Sequence, residues 1–394
     1  MKSLSLATIF AALAGFAIIF IAPHAMPRGE VEEFMAFWGL FFAVTGLIDG
    51  LMQETTRSVS AARQRPTREQ SANPWRTASG LAIILGALAL VSSPLWTMLL
   101  TQHMSLAVAL LAIGLVSYVF QALLSGLLSG SEKWPAFALL LTLDSGIRLV
   151  LVLVAWWAGW GLPAFLVVTV IGALSWSLVL FMAKDVLRAA TDCAQDVFRR
   201  NTFSAMLATG ATALLITGFP TFIKATQDPT PVGGVTMAAV MYAVTLTRAP
   251  ILVPLQRFQS ALIVNFVTNR NAILGTLMKP VAAVFGLGVV GAALAWLLGP
   301  WIMESLWGSD YAVPGLVLAL LTIASACTGA LMITGTATLA IEQHRAYVLG
   351  WVVASAVAFG MLLLPFTLAT NVCAALLFGP LAGSVVHVLA LVRD

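Results

Sequence analysis

The stretch from Pro135 to Trp157 reads PAFALLLTLDSGIRLVLVLVAWW. A helix needs about 20 apolar residues to cross a bilayer, and this run has the length with only Asp144 and Arg148 charged. Runs of the same kind fill the chain, near Ser5 to Ala22, Phe34 to Gln53, Thr77 to Leu99, Ser105 to Leu128, Pro163 to Ala183, Thr202 to Ile223, Val235 to Leu255, Leu277 to Leu298, Val313 to Ile341, Ala346 to Pro365 and Asn371 to Val392. That makes about 12 predicted spans. The composition agrees: of 394 residues, 60% are hydrophobic and 9% charged, and mean hydropathy is +0.98. Soluble domains carry roughly a quarter charged residues, so a water-soluble enzyme is excluded. The first span has signal-like flanks in Lys2 and Ala22-Pro23-His24-Ala25, but its apolar run is long for a signal peptide and is read as a span.

With the N-terminus in the cytoplasm, sixteen of the 20 Lys and Arg fall on the inner side, Arg28 and Lys224 outside, and Arg148 and Arg248 within spans. The positive-inside rule therefore predicts a multi-pass protein of the cell membrane with both termini cytoplasmic, and it accounts for the basic balance without nucleic acid. Most of the 12 tryptophans fall at predicted span ends, where interfacial belts place them. Cys193, Cys327 and Cys373 are too scattered for a disulfide framework or a zinc site, and the four histidines form no metal-binding pair.

The segment Lys184 to Asn201, KDVLRAATDCAQDVFRRN, is the longest amphipathic stretch and predicts a cytoplasmic linker helix on the membrane surface. It divides the chain into an N-terminal lobe, 1–183, and a C-terminal lobe, 202–394, of six helices each. A short repeat agrees: Arg57-Ser-Val-Ser-Ala61 after helix two matches Arg257-Phe-Gln-Ser-Ala261 after helix eight. Parallel repeats of this kind build transporter folds with a site at the repeat interface.

The chemistry resides in charges that cost energy where they stand. An ionised group at the bilayer centre costs about 2.5–3.5 kcal/mol on the lenient insertion scale, so Asp49, Asp144, Arg148 and Arg248, with Glu54 near the end of helix two, must face protein or a wet cavity. Asp144 and Arg148 are spaced to pair on one helix face. Arg248 has no acid within a turn, and Tyr242 and Thr245 precede it on roughly the same side; Pro250 and Pro254 predict a bend or break beside it. Gln121 stands out among the polar residues Ser117, Tyr118 and Ser125 of helix four, whose small hydroxyls serve helix packing.

Two stretches carry a family resemblance: Gly29-Glu-Val-Glu-Glu-Phe34 through Phe41-Phe-Ala-Val-Thr-Gly-Leu-Ile-Asp-Gly-Leu51 to Thr56-Arg57, and Leu306-Trp-Gly-Ser-Asp-Tyr-Ala-Val-Pro314. The first resembles the opening of polysaccharide-exporting flippases of the multidrug/oligosaccharidyl-lipid/polysaccharide (MOP) exporter superfamily. The second is similar to that family's Phe-Gly-x-x-Tyr turn before the tenth helix, with Trp307 in the phenylalanine position. The resemblance implies an all-α integral membrane protein of two six-helix lobes around a central, often cationic cavity, alternating between inward-open and outward-open states. It implies a flippase moving a polyprenyl-diphosphate-linked sugar or oligosaccharide to the outer leaflet for cell-envelope polysaccharide assembly, with pathway glycosyltransferases or polymerases as partners. Arg148 and Arg248, one from each half, would offer cations to the diphosphate or an acidic sugar, with Asp144, Asp49, Glu54, Gln121 and Tyr242 as further cavity residues. No cofactor is expected. Coupling to a proton, a sodium ion or the membrane potential stays open. The alternatives are a multidrug exporter of the same superfamily and a membrane glycosyltransferase using Glu30, Glu32 and Glu33.

Overall fold

The computed structural model describes residues 2–64, 71–99, 103–227, 235–268, 272–341 and 343–393. The described residues form helices and no strand. In chain order they are α1 (Lys2–Ala25), α2 (Arg28–Gln64), α3 (Pro74–Val91), α4 (Met104–Gly130), α5 (Trp134–Trp157), α6 (Leu162–Ile171), α7 (Trp176–Met182), α8 (Gln195–Ile216), α9 (Phe219–Thr226), α10 (Met237–Thr268), α11 (Ile273–Trp307), α12 (Gly315–Ala340), α13 (His344–Leu362) and α14 (Leu368–Arg393). Among them, 11 spans are long and apolar enough to cross a membrane, and 12 if α8 and α9, bent by 59° at their junction, count as one. The α6–α7 pair makes one span, Leu162–Met182, broken by a 3-10 turn at Gly172–Leu174.

Local chemistry sets the helix starts and stops. Pro74 enters α3 behind Asn73, whose side chain accepts from the Trp75 N–H, and prolines likewise open α5 and α6. Glu30 Oε2 accepts from the Leu162 N–H at 2.8 Å, so the start of α6 is capped from α2. Gly308, at φ 86°, ends α11 in a conformation that side chains avoid. Of the bend or break predicted at Pro250 and Pro254, no break forms: α10 runs as one helix with both prolines inside it. Membrane helices tolerate proline because neighbouring groups take over the freed carbonyls.

The chain divides into two compact units, Met1–Thr221 and Phe222–Asp394. In the first, α4 packs against α2 and α3, α1 lies on α5, and α8 lies along α2. In the second, α12 packs against α10, α11 and α14, and α13 lies on α14. Thus α4 and α12 hold equivalent central places, one in each unit.

The division falls inside α9 and not at the segment 184–201, which is also not one amphipathic helix. Lys184–Arg188 is a 3-10 turn, and α8 starts at Gln195. Between them the chain is stitched to the first unit. The Ala72 N–H donates to the Cys193 carbonyl at 2.9 Å, the Thr191 N–H to Ser71 Oγ at 3.0 Å, and the Asp192 N–H to Ser58 Oγ at 3.2 Å. Short polar side chains that bond to nearby backbone compete with helix, and here they win. The next helix is held by close approach: a Cβ on Gly50 of α2 would lie 2.2 Å from the Met206 nitrogen of α8. Small residues permit such contact between membrane helices.

Candidate functional site

The first unit contains an open cavity of about 490 Å³ lined by α1, α2, α4 and α5 and by Thr217. Its walls are apolar on α1, from Ala11, Ala14, Gly15 and Ile18, and aromatic at Trp38, Phe42 and Phe137. Its polar lining is Asp49, Tyr118, Gln121, Ser125, Asp144, Ser145 and Arg148. This falls within the volume range of small-molecule sites, and so does the pattern of apolar walls with a few convergent polar groups.

Helical spacing brings Asp144 and Arg148 together. Arg148 Nη1 donates to Asp144 Oδ2 at 3.0 Å, and Nη2 lies 3.0 Å from Oδ1. Both residues are buried, at 7% and 5% exposure, and the guanidinium lies 5.2 Å from the centre of the Phe42 ring. Gln121 Nε2 donates to Asp144 Oδ1 at 3.1 Å, and Ser175 Oγ donates to Gln121 Oε1 at 3.3 Å. The 3-10 break in the α6–α7 span makes room for this group, since a Cβ on Gly172 would lie 2.5 Å from Arg148 Nε and 2.7 Å from Asp144 Oδ1. The break is itself tied down: Ser117 Oγ donates to the Ala173 carbonyl at 2.7 Å, and Trp176 Nε1 donates to Ser117 Oγ at 2.9 Å. Arg148 Nε and Nη2 have no aligned acceptor. Elsewhere in the lining, Tyr118 Oη donates to Asp49 Oδ1 at 2.9 Å, which is the one hydrogen bond the described residues give that carboxylate.

Four of the residues singled out in the sequence, Asp49, Gln121, Asp144 and Arg148, therefore line one cavity. Glu54 does not line it. Arg57 donates to Glu54 through Nε at 2.8 Å and Nη2 at 2.7 Å, and Asn201 Nδ2 adds a bond at 3.2 Å. Arg57 also reaches Asp192 at 3.0 Å, so Glu54 belongs to the stitching of the 189–195 segment. Burial pushes the Asp192 carboxyl up, but the hydrogen bonds from Arg57 and Ser58 outweigh it and hold the group below the usual carboxylate value.

Arg248 is buried on α10 in the second unit. Tyr242 packs edge-on against Trp307 at 5.1 Å and Tyr311 at 5.5 Å, which makes it part of an aromatic cluster. Trp38, Phe42 and Phe137 are not marked by the sequence, where aromatic side chains look like ordinary lipid-facing residues, and the Gly172 break has as its one signal a glycine three residues before a serine. The described residues contain no group of three metal-ligating side chains.

No family model matches the chain. Solved structures do resemble it. It superposes on an inward-facing multidrug resistance MATE family transporter of the MOP superfamily with a TM-score of 0.75, at 15% identity, covering 98% of this chain and 94% of the other. The lipid II flippase MurJ, in an inward closed conformation, gives 0.69 at 14% identity, covering 100% and 88%. The chain is thus an all-α membrane protein with the MOP exporter superfamily fold. Among sequence relatives, the uncharacterized protein Rv3630 of Mycobacterium tuberculosis (strain ATCC 25618 / H37Rv) is 40% identical over 97% of this chain and 89% of its own length. Rv1510 of the same strain is 38% identical, over 98% and 90%. The chain belongs to the family of these mycobacterial proteins.

Proposed function

We propose that this protein is a flippase that moves a polyprenyl-linked sugar or oligosaccharide across the cell membrane by alternating access, without covalent chemistry. The supporting observation is the first unit's cavity, where hydrogen-bonding groups and three aromatic rings meet inside a lipid-solvated bundle. Sugars are held in this way, with hydroxyls on carboxylate, amide and guanidinium groups and C–H faces against aromatic rings. Arg148 lines the cavity with its guanidinium held on Asp144 and against the Phe42 ring. The sugar head enters the cavity while the isoprenoid tail stays in the bilayer, and Arg248 of the second unit is the second cation assigned to transport. Both termini lie in the cytoplasm, and glycosyltransferases or polymerases of the same pathway supply and consume the cargo. Asp49 or Asp144 carries a coupling proton or sodium ion, Glu54 being taken up by Arg57 and Asn201, or the membrane potential acts on charge directly at about 2.3 kcal/mol per charge per 100 mV. The glycosyltransferase reading loses support because Glu30 caps α6.

The test is translocation of a fluorescent polyprenyl-diphosphate sugar in proteoliposomes. Arg148→Ala and Arg248→Ala proteins that insert and fold should lose transport, and full transport by both would overturn these site assignments. A multidrug exporter is the second reading, favoured by the two acids against one base in an aromatic-walled cavity. Ethidium efflux without sugar translocation would select it.

A further inference from the structure

The charge balance of the cavity in the first unit narrows its ligand. The charged side chains lining it are Asp49, Asp144 and Arg148, two acids and one base. Arg148 spends its charge on Asp144, to which both terminal nitrogens lie at 3.0 Å, and its guanidinium face on Phe42. Asp49 has no cation among the described residues, and its one hydrogen bond comes from Tyr118. An acidic sugar or a diphosphate placed here would meet one unneutralised carboxylate and a guanidinium already paired, and buried like charges repel strongly. A cationic group would complete the pairing that the protein leaves open, because a carboxylate removed from water is costly until it is paired.

Resting on the flippase reading above, we propose that this cavity recognises a sugar bearing a basic amino group. The ammonium pairs with the open oxygen of Asp49, and ring hydroxyls bond to Ser125 and Ser145. The phosphate of the carrier is held elsewhere. Trp38, Phe42 and Phe137 cover the C–H faces of the ring, and their negative faces also favour an ammonium.

Saturation-transfer NMR on the full-length protein in detergent micelles tests this with glucosamine, N-acetylglucosamine, glucose, glucuronate and inorganic pyrophosphate. Glucosamine should bind about tenfold or more tightly than glucose, a difference of about 1.4 kcal/mol per tenfold. N-acetylglucosamine keeps the ring and loses the charge, so it should bind no better than glucose, and glucuronate and pyrophosphate should bind least. Asp49→Asn should erase the amine preference while keeping glucose binding, and Asp49→Glu should restore part of it. Should Asp49→Asn fail to fold, the comparison of glucosamine with its N-acetyl form on the native protein decides the matter alone. Equal binding of those two, or tightest binding of glucuronate or pyrophosphate, overturns the amine inference and leaves the sugar reading standing. Ethidium binding with no sugar bound overturns the sugar reading itself.

Discussion

The Asp144–Arg148 pair supports a quantitative prediction. Two unit charges about 4 Å apart attract by roughly 4 kcal/mol at an effective dielectric of 20, and desolvation of both groups offsets much of this. Removing one partner is worse than removing both, because the survivor keeps its desolvation cost; buried pairs broken in this way lose about 3–5 kcal/mol. Arg148→Met leaves Asp144 with the Gln121 amide as its remaining hydrogen-bond donor. Asp144→Asn leaves the guanidinium its Phe42 contact, worth at most about 2 kcal/mol when desolvated, and an uncharged acceptor. Arg148→Met should therefore cost about 4 kcal/mol and Asp144→Asn about 3 kcal/mol, while the double variant costs well under their sum, with a coupling of about 2–3 kcal/mol. The assay is unfolding of the four proteins by SDS titration in mixed micelles, with tryptophan fluorescence as the signal. Coupling under about 1 kcal/mol, the range of exposed ion pairs, would show that this pair is solvated and would refute the reasoning from burial.

The seam between α2 and α8 leaves no room at Gly50, so Gly50→Ala should lower thermal stability by about 1–3 kcal/mol or more, whereas Gly286→Ala, with nothing within 4 Å of its Cβ position, should raise it by about 0.5–1 kcal/mol. Thermal denaturation in detergent compares the two, and equal losses would contradict the close-approach argument. Asp192 lies outside the spans and is held below its unfolded value of about 3.9, so its contribution to stability is complete above that pH and is lost as pH falls through the lower folded value. Melting temperatures of the native protein and Asp192→Asn should therefore converge on acidification below about pH 4. A constant gap from pH 6 to the acid limit would show that the carboxylate does not hold the segment. In the second unit, a Cβ at Gly350 would lie 2.1 Å from His387 Nε2, so Gly350→Ala should destabilise strongly, and Gly350→Ala with His387→Ala should cost less than the sum of the two. Additive losses in the same melting assay would indicate that the ring has another place to go.

Much of the architecture was legible because lipid solvation leaves a blunt signal: about 20 apolar residues per span, with proline, glycine and charge between. The Asp144–Arg148 pair was legible for a local reason, since four residues along a helix put two side chains on one face. Glu54 read equally well as a cavity residue from its place in α2. Its partners Asn201 and, through Arg57, Asp192 lie far away in the chain, and no local pattern announces them. Tyr242 stands six residues before Arg248, about 120° away around the helix, and its ring turns to Trp307 and Tyr311. The linker failed for a related reason. Its amphipathic pattern favours a surface helix, but Ser58, Ser71 and Ala72 offer the segment tertiary hydrogen bonds that periodicity does not encode.

The two units place polar groups at equivalent helices and use them differently. In the first, α4, α5 and the α6–α7 span join Gln121, Asp144, Arg148 and Ser175, and the broken span leaves that knot beside an open cavity. In the second, α12, α13 and α14 meet at Thr334, Tyr347 and His387. His387 Nδ1 lies 3.0 Å from Thr334 Oγ1, and Nε2 donates to the Tyr347 carbonyl at 3.1 Å. There α14 is continuous and His387 is fully buried, so both ring nitrogens are spent on the protein's own groups. A polar group whose hydrogen bonds are all internal serves to lock helices, whereas one that lines a cavity can serve a ligand. The second unit's described cavity, about 480 Å³ among α10, α11 and α12, fits this contrast. Thr247 and Thr322 in its walls donate to the Ala243 and Leu318 carbonyls of their own helices, and the remaining lining is apolar. The polar groups of α12, α13 and α14 thus form a closed clamp, whereas those of α4, α5 and the α6–α7 span border a charged pocket, and that difference is why the proposed head-group site is put in the first unit.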